Sequence, residues 1–331
     1  MRVLDRVVRR RGRGRVAAAV GVVAVLVGGG GCAAPGADAG AGAGVGGIDL
    51  PWPGEGQSSV VVEGFGSLGG RGGSTPVPIA SVTKVMTAYV ILRGHPLEDG
   101  GQGPRIGVDA AAARESFAPG ESTAQLREGQ DLTERQLLEL MLLPSGNNVA
   151  RLLARWDSGS QEAFVVKMNR AALELGMTRT TYTGASGLEE STRSTAEDQI
   201  RLARAAMGLP VLREVVGMRE TTVAGVPGTV VNTNTLLGRD GVIGLKTGST
   251  TAAGGNLMWA AEVRAGGGVR LVLGVVLAQR ANTTPQQGLA AALERSGRLI
   301  EAVREQLPGV LAAGDGNGEG AAAAGGRGGR P

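Results

Sequence analysis

An α/β fold of the α+β type, an antiparallel sheet flanked by helices with a mainly helical lobe inserted into it, is predicted by three observations. One strand pattern, Ser59-Val60-Val61-Val62-Glu63, stands early in the chain. A long middle stretch carries helical periodicity with capping residues at its breaks. Strand patterns return only late, in Val242–Thr247, Leu257–Val263 and Val269–Leu277, before a last amphipathic helix. This order differs from the strand–helix alternation that builds parallel sheets.

Taken from the beginning, residues 1–31 read as an export signal or membrane anchor. Seven arginines there face only Asp5 and precede the apolar run Val16–Val27, which is short for a membrane span. Cys32, the only cysteine, stands where a lipoprotein carries its acylated residue, although Gly29 departs from the aliphatic residue usual three positions earlier. Cleavage near Ala34 and an uncleaved anchor fit the same segment. Residues 32–57 form a Gly/Ala/Pro linker, 58–307 the folded domain and 308–331 a disordered Gly/Ala-rich tail.

Within the domain, Gly64–Gly73 is a turn-rich connection after the first strand, and Val82–Arg93 is a largely buried helix that begins just past Ser81. Thr133 and Gln136 form a capping-box pair ahead of Leu137–Leu143, Pro144 interrupts, and a second helix reaches Trp156. Ser160 caps Gln161–Leu175, and Thr195 with Asp198 opens Ala196–Met207. The late strands Leu257–Val263 and Val269–Leu277 make a hairpin, and Pro285 starts a helix to about Gln306.

Composition narrows the chemistry. The formal charge is +4, and residues 1–31 contribute +6 of it, so the remainder carries −2 and offers no basic stripe for nucleic acid. A lone cysteine in the leader leaves no intrachain disulfide, thiol nucleophile or cysteine cluster, and no metal or other cofactor is expected. The one histidine, His95, lies in a Gly-His-Pro turn, poorly placed for a Ser-His-Asp triad. Of 34 basic residues only Lys84, Lys167 and Lys246 are lysine. Arginine cannot release its proton near neutral pH whereas a buried lysine can, so these positions invite a search for a titratable amine.

Two of the three lysines stand in recognisable strings. In Ser81-Val82-Thr83-Lys84 the serine and lysine share one face of a helix start, where the helix dipole favours negative charge on the serine oxygen. Pro144-Ser145-Gly146-Asn147 presents a hydroxyl and an amide at a helix break. Leu245-Lys246-Thr247-Gly248-Ser249 ends a strand, with a glycine where a substrate backbone would approach. Each string alone has a bland reading: a capped helix, a loop, a strand exit.

Together, in the order Ser-x-x-Lys, Ser-x-Asn, Lys-Thr-Gly with gaps of 64 and 101 residues, they resemble the penicillin-recognising serine enzymes. Pro78 to Ala88, Leu142 to Asn148, Ser186-Gly187-Leu188, Ser194 to Asp198 and Asn232 to Leu237 are similar to the low-molecular-mass D-alanyl-D-alanine carboxypeptidases, a likeness reaching from about Ser59 to Ala278. The resemblance implies a DD-peptidase/β-lactamase-like fold and an enzyme that trims the terminal D-alanine from peptidoglycan stem peptides through an acyl-enzyme on Ser81. It implies Ser81, Lys84 and Ser145 as catalytic residues, and Asn147, Lys246, Thr247, Gly248 and Ser249 as substrate-binding ones. It also implies stem peptides ending in D-Ala-D-Ala and β-lactam antibiotics as partners, with the enzyme outside the cytoplasm and held at the membrane by its N-terminal segment or a lipid on Cys32. Ser186 and Ser249 stand where many members have histidine. A class A-like β-lactamase would need a Glu-x-x-Leu-Asn string that is missing here. A DD-endopeptidase would carry the same three strings, whereas a non-catalytic penicillin-binding wall sensor would have no need of intact Lys84 and Ser145.

Overall fold

The computed structural model describes residues 47–319, with side chains as far as residue 313. Residues 1–31, read above as an export signal or anchor, Cys32 and the extreme C-terminus lie outside the described residues. A five-stranded antiparallel sheet runs through the domain, formed by β1 (Gln57–Val62), β2 (Gly66–Arg71), β3 (Val242–Thr250), β4 (Gly254–Ala265) and β5 (Gly268–Gln279), in the spatial order β2-β1-β5-β4-β3. Everything between β2 and β3 is the inserted lobe. Its helices are α1 (Lys84–Gly94), α2 (Ala110–Glu115), α3 (Glu134–Leu142), α4 (Asn147–Ser158), α5 (Gln161–Glu174), α6 (Ala196–Met207) and α7 (Pro210–Gly217). α8 (Pro285–Glu319) closes the described chain.

Both faces of the sheet are covered over β4 and β5, which is why these two strands are largely apolar on both sides. The period-2 alternation still sorts them. Met258 and Ala260 join Leu273, Val275 and Leu277 in a core shared with α1, α3, α4 and α6. Leu257, Trp259, Ala261 and Val263 point the other way, with Val272 and Val276, into a second core under α8 formed with Leu299, Ile300, Val303 and Leu307.

The capping signals act as read. Thr133 accepts from Gln136 N while Gln136 reaches back to Thr133 N, and Ser160 and Thr195 cap α5 and α6 by accepting from Ala163 N and Asp198 N. Each such cap is typically worth about 1 kcal/mol.

The structure departs from the sequence reading in four places. The Gly64–Gly73 connection contains β2, paired antiparallel to β1, because small residues suit an edge strand whose neighbour supplies the hydrogen bonds. The linker assigned to 32–57 ends earlier: Leu50 is buried in the second core, Trp52 packs against it, and the backbone of Asp49 exchanges hydrogen bonds with the Gln306 side chain at 2.9 and 2.7 Å. The tail assigned to 308–331 begins as helix, since α8 continues through Pro308 to Glu319 with Leu307 and Leu311 seated in that same core. Their burial outweighs the one helix hydrogen bond that Pro308 cannot donate. Finally α2 and α7, six and eight residues long, carry too few turns to show a period.

Candidate active site

Ser81 lies in a 3₁₀ turn, Ala80–Thr83, that runs directly into α1. This differs slightly from the expected α-helical start and places Ser81 and Lys84 one tight turn apart, Nζ to Oγ 2.8 Å. Two distant segments press on this turn. A Cβ added at Gly248 on β3 would come within 2.7 Å of Ser81 N, and one added at Gly187 within 2.0 Å of Ala80 O. Both positions must therefore lack a side chain. Ala80 itself takes a φ of +46°, in the left-handed region that costs a residue with a Cβ, so the turn is held in a strained form by its surroundings.

Lys84 is wholly buried, and its amine has three neighbours: Ser81 Oγ, Asn147 Oδ1 at 2.6 Å and Ser186 O at 2.9 Å. Two of these are carbonyl oxygens, which can only accept. A neutral amine can satisfy both with its two N–H groups and turn its lone pair to the Ser81 hydroxyl. Burial, then the neighbouring Lys246 and Arg151, pull the Lys84 amine well below the ordinary lysine range, while Glu189 and Glu121 oppose the fall.

Ser145 and Asn147 come from the break between α3 and α4. Ser145 is buried with φ +70°, and its hydroxyl makes no hydrogen bond among the described residues. Asn147, the first residue of α4, engages both ends of its amide inside the protein: Oδ1 faces Lys84, and Nδ2 donates to Glu121 Oε2 at 2.9 Å.

Lys246, Thr247, Gly248 and Ser249 follow one another on β3. Lys246 is 1% exposed, and its Nζ makes no hydrogen bond among the described residues; burial alone lowers it to about 7. Thr247 Oγ1 is 2.5 Å from Thr233 Oγ1, and Thr233 is tied by backbone to Leu143 beside Ser145. The structure thus draws Ser81, Lys84 and Asn147 into direct contact, with Gly248 backing onto the Ser81 turn. His95 is elsewhere, hydrogen-bonded to Asp157 and packed at a tilt against Trp156.

Sequence reasoning missed Glu121, Arg151 and the backbone carbonyl of Ser186. Glu121 sits in a polar loop without pattern. Arg151 did leave a signal: it follows Asn147 by four residues on one helix and so shares its face.

A family model described as D-alanyl-D-alanine carboxypeptidase matches residues 68–280. A D-alanyl-D-alanine carboxypeptidase of Mycobacterium tuberculosis is 36% identical over 215 residues, covering 63% of this chain and 69% of its own. A D-alanyl-D-alanine endopeptidase of Pseudomonas aeruginosa is 37% identical over 149 residues, 45% of this chain and 46% of that one. Among solved structures, the Streptomyces K15 DD-transpeptidase superposes with a TM-score of 0.65 at 29% identity, covering 74% of this chain and 95% of that chain.

Proposed function

The chain belongs to the D-alanyl-D-alanine carboxypeptidase family, serine hydrolases that act on D-Ala-D-Ala peptides of the cell wall and bind β-lactams, and we propose how its own residues carry out that reaction. Ser81 is the nucleophile and Lys84, as the neutral amine, its base. The observation that carries this reading is the wholly buried Lys84 amine, 2.8 Å from Ser81 Oγ, with two carbonyl oxygens occupying its N–H groups.

Lys84 takes the hydroxyl proton as Ser81 Oγ attacks the carbonyl carbon of the penultimate D-alanine. The backbone N–H groups of Ser81 and Ser249 receive the developing oxyanion, a role supported by the close backing of Gly248 onto Ser81 N. As the C–N bond breaks, the departing amine of the terminal D-alanine gains a proton through Ser145, whose hydroxyl has no competing bond, and the proton originates from Lys84. Lys246 and Thr247 hold the terminal carboxylate, which gives the buried Lys246 ammonium its missing partner and directs the enzyme to chain ends. Asn147 orients Lys84 and, through the remaining lone pair of Oδ1, has capacity for one donor of the peptide. Water then cleaves the acyl ester.

The enzyme works outside the cytoplasm. Residues 1–31 carry it across the membrane, and Cys32 or the uncleaved segment keeps it there, a reading supported by the seven arginines ahead of the apolar run.

Benzylpenicillin tests the assignment, because its strained amide is attacked as the peptide is. Mass spectrometry should locate a covalent adduct on Ser81, and Ser81→Ala should show none. An undiminished adduct in that variant would place the nucleophile elsewhere.

A further inference from the structure

We propose that Glu121 and Arg151 are a positioning pair that locks the orientation of the Asn147 amide and thereby keeps the Lys84 amine aimed at Ser81. The inference rests on Lys84 acting as the base.

An asparagine amide has an accepting end and a donating end, and a half-turn exchanges them. If Nδ2 faced Lys84 it would donate into the amine's lone pair and take it away from the Ser81 hydroxyl. Glu121 forbids that turn. Its Oε2 lies 2.9 Å from Asn147 Nδ2, and a carboxylate only accepts, so Oδ1 is left to face Lys84 at 2.6 Å.

Glu121 is itself held in place. Arg151 Nη2 donates to the same Oε2 at 2.9 Å, and Arg151 Nε donates to Glu115 Oε2 at 2.8 Å. Although partial burial works to raise the Glu121 carboxyl, hydrogen bonds from Asn147 and Arg151 bring it below the usual range, so it stays an acceptor. The loop carrying it is pinned on its C-terminal side. Asn147 N donates to Ser122 O at 2.8 Å, and the buried Asn148 amide bridges Ala112 O, Ser116 Oγ and both backbone groups of Ala124.

The pair also leaves an electrostatic signature that a merely structural clasp would not. Among the charged groups that act on Lys84, Lys246 and Arg151 disfavour its protonation, and Glu189 and Glu121 favour it. Removing Glu121's charge should ease loss of the Lys84 proton, and removing Arg151's charge should hinder it.

The experiment is the pH dependence of second-order acylation by benzylpenicillin, followed by stopped flow in the full chain, for Glu121→Gln and Arg151→Met. The acid limb should move to lower pH in the first and to higher pH in the second, each by about half a unit or more. Arg151→Lys should bring the limb back toward its original position. Glu121→Ala, which frees the amide to turn, should slow acylation roughly tenfold or more at optimal pH while the penicillin concentration for half-saturation stays nearly constant. Limbs that stay together, or move in the same direction, overturn the pairing. Should Arg151→Met fail to unfold cooperatively, Glu121→Gln alone decides. A wild-type enzyme with no acid limb, or one unaffected by Ser81→Ala, would instead overturn the Lys84 and Ser81 roles beneath it; a normal wild-type limb that neither variant moves overturns only the pair.

Discussion

The two lysines of the candidate site are both buried, yet their surroundings are opposite. Lys84, on the helical wall, has every direction filled: a serine hydroxyl, an amide oxygen and a backbone carbonyl lie within 2.9 Å. Lys246, on the sheet wall, has no partner among the described residues. A buried ammonium without partners costs free energy unless something supplies them, so Lys246 is built for an anion that arrives from outside. Lys84 already has the neighbour with which the proposed mechanism has it exchange a proton, Ser81 Oγ. Under the proposed mechanism the same residue type serves as a base in one setting and as an anchor in the other, and the hydrogen bonds each makes tell them apart.

The largest expected effect strikes at this contrast directly. In Lys84→Arg a guanidinium that cannot lose its proton should slow penicillin acylation by roughly a hundredfold or more, as expected for loss of a general base. Lys246→Arg keeps the positive charge and should retain measurable acylation with weakened binding. Equal damage from both, with folding verified by thermal unfolding, would erase the distinction.

A smaller effect sharpens it. Only the charged form of Lys246 can hold a carboxylate, and burial brings it to about 7, so kcat/KM for acylation should fall as pH rises past that value. The limb in kcat should lie higher, because the bound carboxylate favours the ammonium. In Lys246→Arg the alkaline limb should vanish. A limb that survives unchanged in that variant would assign it to another group.

The smallest effect supplies a control, a second buried titratable group without a partner, at the opposite end of α3 from Ser145. Glu134, the first residue of α3, is completely buried; neither carboxylate oxygen has a partner among the described residues, and burial raises it from 4.5 to about 7. The folded state then holds a proton that the unfolded chain releases, so stability should fall as pH rises between those values, by up to about 3 kcal/mol. Glu134→Gln should flatten that slope in denaturant titrations across pH 4 to 8 while leaving acylation unchanged. If the slope persists, the raised carboxyl is not the cause.

Much of this was legible in the sequence because caps and motifs are local. Thr133 with Gln136, Ser160 and Thr195 announced their helices within four residues, and the three strings around Ser81, Ser145 and Lys246 pointed to the candidate site. What stayed hidden depends on partners distant in the chain. β2, Gly66–Arg71, has no strand composition and exists through its pairing with β1. Leu50 and Trp52 look like linker until Gln306, more than 250 residues later, is placed beside Asp49. Glu121 has no string at all, since its meaning comes from Asn147 across a loop.

The two glycines that press on the Ser81 turn carry a consequence for how the protein reaches its active form. Gly187 belongs to the inserted lobe and Gly248 to a strand made more than 160 residues after Ser81, and both must be seated before the strained Ala80 turn is held. Such non-local contacts are closed late, because the chain entropy of long loops has to be overcome first. A chain with its helices formed but β3 undocked has the serine and the lysine, and still has no site. Covalent labelling by penicillin during refolding therefore becomes a clock for the last docking step, counting finished molecules while secondary-structure signals count unfinished ones as well.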